Sequence, residues 1–240
     1  MKKTNLLKIM KILILIISIA LIVGIIVYLA PLISEISTKE GQIAFKEKID
    51  SLGFYGILLL LGLQLAQILL IILPGEPIEV LIGMCYGVVG GTIFITITVF
   101  TSTTIIFYLV RKFGKKFVYE FFNKEKIDKI ENSKIFKNKK TIEFLMIILF
   151  LLPGTPKDLL VYIGGLLPIK PLRFILISTF VRLPSVISST IAGSSIVSGN
   201  FKITVLIYIV TFIISVIIIL VSNKLDKNKI TKKALDAINS

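Results

Sequence analysis

One phrase occurs twice in this chain, and it restricts the folds open to everything around it. Residues 73–87 read LPGEPIEVLIGMCYG and residues 152–166 read LPGTPKDLLVYIGGL. At an offset of 79, Leu73, Pro74, Gly75 and Pro77 fall on Leu152, Pro153, Gly154 and Pro156, and Glu79 falls on Asp158. Proline donates no amide hydrogen bond and pushes the residue before it out of helical geometry. Gly75 and Gly154 let the chain turn. Both phrases follow an apolar run and precede a Gly-containing one. A helix must therefore break twice inside hydrophobic sequence, each time beside a carboxylate.

The apolar runs are too long and too continuous for amphipathic helices on a soluble core. Hydrophobic residues make up 55% of the 240, mean hydropathy is +0.94 and only 18% are charged, which is too little charge to cover a soluble domain of this size. The ten-residue alternating segments of a β-barrel are absent. The fold class expected is an all-α integral membrane protein. The net charge of +14 is carried by lysine blocks flanking apolar runs. That pattern points to membrane orientation and anionic lipid, and no nucleic-acid motif accompanies it. Cys85 is the only cysteine and there is no histidine. An internal disulfide, His-based acid–base catalysis and His-ligated zinc are thereby excluded. No cofactor and no metal site are expected.

Charge parity sets the topology. Lys2, Lys3, Lys8 and Lys11 precede the apolar run 12–30, which is longer than a signal-peptide core and lacks an A-x-A site. It is read as an uncleaved span leading out from a cytoplasmic N-terminus. Residues 31–52 read as an interfacial helix or a short external loop. Residues 111–140 hold eleven basic residues against four acids and belong in the cytoplasm. Had 53–73 and 78–110 each crossed, residue 111 would lie outside. Parity is restored if 53–89 enters from outside and returns, so that 90–110 crosses inward. By the same logic 141–169 enters from the cytoplasm and returns, because the apolar residues after Thr141 reach only about 18 Å against a core of about 30 Å. Spans 172–197 and 201–222 then lead to a basic cytoplasmic tail. The expected organisation is an N-terminal anchor and interfacial segment (1–52), a central domain with two re-entrant hairpins (53–197), and a final helix with its tail (198–240). Pro74, Gly75, Pro77, Pro153, Gly154 and Pro156 form the hairpin tips. Two similar hairpins entering from opposite faces make an inverted repeat, and broken backbone at membrane depth is tolerated only where buried in protein or lining a wet cavity.

These residues resemble the VTT domain of the DedA and SNARE-associated Golgi protein superfamily. The resemblance rests on the proline phrases with their acids, the Gly-rich segment Gly83, Tyr86, Gly87, Gly90 and Gly91, and the Phe107-x-x-x-Arg111 motif with Gly114. In the second half it rests on Tyr162, Gly164, Gly165, Phe174, Arg182, Pro184 and Gly193. It covers roughly residues 50–195, and the short chain looks more like the Golgi-vesicle (Tvp/Tmem) branch than DedA proper. The resemblance implies an inverted pair of re-entrant hairpins and lipid handling: phospholipid scrambling in some members, flipping of polyprenyl-phosphate carriers in bacterial ones. One departure stands out. Thr155 and Lys157 stand where the first phrase has Glu76 and Ile78.

An ionisable side chain at the centre of a membrane helix costs on the order of 3 kcal/mol or more and marks a candidate site. Glu76, Glu79, Asp158 and Arg182 meet that criterion. Arg182 is expected to pair with Asp158 or Glu79 and to release to a lipid phosphate, which a guanidinium grips with two donors. The carboxylates would carry protons. A purely structural ion pair is the competing reading. Arg111 is either a positive-inside anchor or a phosphate ligand. Gln64 and Gln67 either line a cavity or bond between helices, and Gly83 with Gly87 forms a small-xxx-small packing pattern. The function expected is movement of lipids between leaflets of a bacterial plasma membrane, with proton coupling, and not catalysis. A scaffold with structural polar residues is the alternative, and a lipid-phosphate enzyme is disfavoured by the missing histidine. The partners are membrane lipids, anionic or phosphate-bearing, with room for a homo-oligomer and no nucleic acid.

Overall fold

The structure is a computed structural model, and it describes residues 38–70, 75–125, 127–128, 139–151 and 155–225, with isolated positions between 12 and 24. Among these residues there are helices and turns and no strand. The helices are α1 (Lys39–Ser51), α2 (Phe54–Leu70), α3 (Gly75–Phe113), α4 (Lys115–Val118), α5 (Lys139–Leu151), α6 (Lys157–Leu166), α7 (Pro171–Phe180), α8 (Leu183–Val197) and α9 (Phe201–Leu225). The sequence tips Pro74, Pro153 and Gly154 lie outside the described residues.

Two stretches, Gly75–Phe113 and Pro171–Val197, are long and apolar enough to cross a membrane. Exposed apolar side chains cover their outer faces, among them Ile93, Ile97, Ile105, Leu172 and Leu176. Water would penalise such a surface and hydrocarbon would not. The chain is an all-α membrane protein.

The backbone divides into two compact units, one built from Ile12–Val99 with Leu183–Val210 and the other from Phe100–Arg182 with the chain termini. We call them the N-proximal and the central unit.

In the N-proximal unit, Thr38 starts α1 by accepting a hydrogen bond from the Gly41 amide at 3.1 Å. Glu40 and Lys48 sit at the ends that suit their charges. Phe45 and Ile49 are buried, and Glu47, Lys48 and Asp50 face outward. Within 31–52, residues 39–51 thus form a helix with a solvated charged face. A turn at Gly53, whose φ is +53°, bends α1 against α2 by 113°.

The glycines after the first proline phrase divide their roles in a way the sequence pattern concealed. Gly83 lies so close to α8 that an added Cβ would meet the Thr190 backbone at 2.6 Å, and one on Gly193 would meet the Val80 carbonyl at 2.1 Å. Close packing at Gly83 is as expected. Gly87 is different: a Cβ added there would meet nothing within 4 Å, and its φ is +69° with ψ −171°. The chain folds back sharply there. In a straight helix eight residues advance roughly 12 Å. Here a Cβ on Gly91 would lie 3.3 Å from the Gly83 Cα, and the Tyr86 and Phe94 rings are 5.6 Å apart. Gly87 is therefore a chain reversal and not half of a packing motif. It divides α3 into a short arm and a longer one, residues 88–113, of roughly 39 Å.

The central unit is organised by aromatic rings. Phe107, Phe117, Phe150, Tyr162 and Phe174 are almost fully buried. Phe174 stacks on Phe107 at 5.3 Å and meets Phe150 edge-on at 6.0 Å, and Tyr162 lies 6.2 Å from Phe117. Gly164 and Gly165 admit this packing, since a Cβ on Gly164 would enter the Phe174 ring and one on Gly165 would meet Val110 at 2.5 Å. A second positive-φ glycine, Gly114 at +69°, turns the chain from α3 into α4.

Candidate functional site

The break between α5 and α6 is built from its backbone outward. Thr155 Oγ1 donates to the Leu149 carbonyl at 2.6 Å and so satisfies one of the acceptors left at the end of α5. Pro156 has ψ 76°, outside helical geometry, and α6 begins at Lys157. Asp158 then sits in the first turn of α6, where the helix dipole favours negative charge. Thr155 is the residue that departs from the first phrase, and its hydroxyl serves the backbone, a role no charge-based reading of the sequence could assign.

Arg182 lies in the turn between α7 and α8, two residues before Pro184. Only 6% of it is exposed. Its Nη2 lies 3.5 Å from Asp158 Oδ1, and its guanidinium carbon lies 5.8 Å from the centre of the Phe150 ring. Of the two acids proposed for Arg182, the one that pairs with it is Asp158. The distance is long for a hydrogen bond. Arg182 Nε is buried and has no hydrogen-bond partner, and neither has Oγ1 of Thr179, one helical turn earlier. A guanidinium carries five donors in a fixed fork. In this site the fork meets a carboxylate at the limit of contact and an aromatic face, and its Nε is left without a partner.

The first phrase holds its polar groups in the N-proximal unit. Gly75 opens α3, and the Gln67 amide lies over it, 3.3 Å from where a Cβ would stand. Glu76 and Pro77 are exposed, whereas Glu79 is 8% exposed. Gln64 and Gln67 are both buried on α2, and Gln64 Oε1 has no hydrogen-bond partner.

Arg111 is engaged by the backbone and by an aromatic ring. Its Nη2 donates to the carbonyls of Leu167 at 2.7 Å and Ile169 at 2.8 Å, and its guanidinium covers the Phe107 ring at 5.0 Å. It ties the end of α3 to the α6–α7 connection. Arg111 thus donates to two carbonyls of this irregular connection, and that of Leu167 also accepts from the Ile169 amide at 2.8 Å. Only the Phe107-x-x-x-Arg111 spacing, one helical turn, hinted at the ring contact. Arg173 reaches Glu143 on α5 with Nη1 at 3.0 and 3.1 Å from its two oxygens. Ser188 and Ser189 donate to the carbonyls of Pro184 and Ser185 in the first turn of the proline-led helix.

A family model described as the VTT domain matches residues 73–195, just over half of the 240. No curated protein and no solved structure matches the chain. The matched segment runs from the first proline phrase through Arg182 and Gly193, and so contains both breaks and the Asp158–Arg182 pair.

Proposed function

Because the chain belongs to the VTT-domain family, we propose that it moves phosphate-bearing lipids between the leaflets of the bacterial plasma membrane and is not an enzyme. One observation carries the reading: a buried arginine with an unpartnered Nε, held by a carboxylate at 3.5 Å inside an apolar helical unit. A fully structural pair favours short, doubly bonded geometry, since leaving a charge half-satisfied in a low dielectric is costly. A pair that must open tolerates a loose contact. A lipid phosphate offers an oxygen to the Arg182 Nε, which has no partner in the pair. Asp158 and Glu79 act as the proton carriers that reset their own units.

The re-entrant arrangement is part of the same proposal. Supporting it are the short helices α5 and α6, each below the length of a span, and the reversal of α3 at Gly87. In this arrangement the two proline phrases are hairpin tips entering from opposite faces, and both termini are cytoplasmic.

The test is headgroup translocation in proteoliposomes containing the purified chain and a labelled phospholipid. The proposal expects the wild type to accelerate movement and Arg182→Ala to return it to the protein-free rate. No acceleration by the wild type would overturn it in favour of a scaffold, and release of free phosphate would favour an enzyme.

A further inference from the structure

Outside the Asp158–Arg182 pair the central unit carries a second polar feature. A cleft of about 530 Å³ opens where the α6–α7 connection meets the ends of α3 and α5. Arg111, Lys170 and Arg173 line it, with Glu143 as its one acid and Pro168 and Pro171 as its stiff walls. Its volume falls in the range of small-molecule sites, roughly 300–1,000 Å³. We infer that this cleft is a docking site for the phosphate of an anionic phospholipid, held at the membrane surface and separate from the translocation site.

Three arguments support the site. The first is charge: three cations face one carboxylate, and Glu143 is already engaged by Arg173. The surplus is positive and suits a phosphate whose charge no choline cancels. The second is rigidity. Arg111 is fixed by its two carbonyl bonds and by the Phe107 face, so its guanidinium is positioned before any ligand arrives. Lys170 is the N-cap of α7, and Pro171 at the start of that helix fixes the backbone that carries it.

The third argument distinguishes a lipid from free phosphate. Leu172, Leu176 and Phe180 are exposed at four-residue spacing along α7, and Phe144 and Ile147 are exposed on α5. An apolar stripe therefore leaves the basic cleft along each helix, and acyl chains fit there once the headgroup is seated. The lysines at 112, 115 and 116 follow Arg111 directly and mark this as the basic face.

The purified full chain in detergent, titrated with phosphatidylglycerol, phosphatidylcholine or inorganic phosphate and read by native mass spectrometry, tests the inference. Phosphatidylglycerol should bind in preference to phosphatidylcholine, and raising the salt before transfer should weaken it. Lys170→Gln should lower its retention about fivefold. Glu143→Gln should raise retention by a similar factor, because it frees Arg173. Both variants should fold, since Lys170 is exposed and the half-exposed Arg173–Glu143 pair is of a kind that contributes little stability. Binding of inorganic phosphate with the same variant pattern would identify the phosphate group alone as the ligand. Its absence would identify the whole lipid. Equal retention of the two lipids, or variants that leave retention unchanged or shift it in one direction, would overturn the site. Neither variant touches Arg182, so the result is independent of lipid translocation.

Discussion

At the break that opens α6, Asp158 faces a buried arginine, and Thr155 closes the preceding helix with its hydroxyl. At the break that opens α3, Glu76 faces outward, Glu79 is buried one turn later, and the buried side chain over the turn is the amide of Gln67. The same Pro-Gly-x-Pro scaffold thus serves two different sets of charges. What the repeat preserves is a sequence of backbone-breaking residues, two prolines and a glycine. What it does not preserve is the charge. Among the described residues, a guanidinium from its own unit meets the acid of the central break, and this is where the proposed binding step falls.

The largest effect should come from removing that guanidinium. Arg182→Ala leaves Asp158 without its cation and should cost about 3 kcal/mol or more, read as a lowered unfolding midpoint in detergent. Glu76→Gln, at an exposed acid of the other break, should change the midpoint little, and an equal loss in both would erase the distinction between the breaks. Next is the chain reversal at Gly87 in the N-proximal unit. Gly87→Ala forces a side chain into φ +69° and ψ −171° and should cost on the order of 2 kcal/mol. Gly90→Ala, which meets only the Tyr86 Cβ at 3.3 Å, should cost clearly less in the same melt. Thr155→Val removes the donor to the Leu149 carbonyl and should cost about 1 kcal/mol. Thr155→Glu, which makes the second phrase resemble the first, should be no better tolerated. The smallest effect belongs to Glu76→Thr, expected within about 0.5 kcal/mol because the side chain is exposed.

Much of this was legible in the residues. Apolar run length and composition marked the chain as an all-α membrane protein, but the turn at Val181 and Arg182 falls inside what reads as one span, 172–197. The cost of burying charge singled out Asp158 and Arg182, and those two meet. Other features left no such trace. Gly83 and Gly87 have the spacing of a packing motif, and only the backbone separates the glycine that packs from the one that reverses the chain. Arg111 binds carbonyls of an irregular connection, and carbonyls are present at every residue, so no pattern marks which ones a side chain will reach. Thr155 looked like a lost acid because it was compared by charge; its role is a hydrogen bond six residues back. The cleft of Lys170, Arg173 and Glu143 joins residues spaced by folding alone.

The central claim is that Asp158 and a lipid phosphate compete for Arg182. Retention of a phosphate-bearing lipid by the purified chain tests it most directly, measured in a Lys170→Gln background that weakens the outer cleft. Competition predicts opposite signs: Asp158→Asn releases the guanidinium and raises retention, and Arg182→Gln lowers it. A fall of the same size in both variants would contradict the account and leave the pair as a structural clamp.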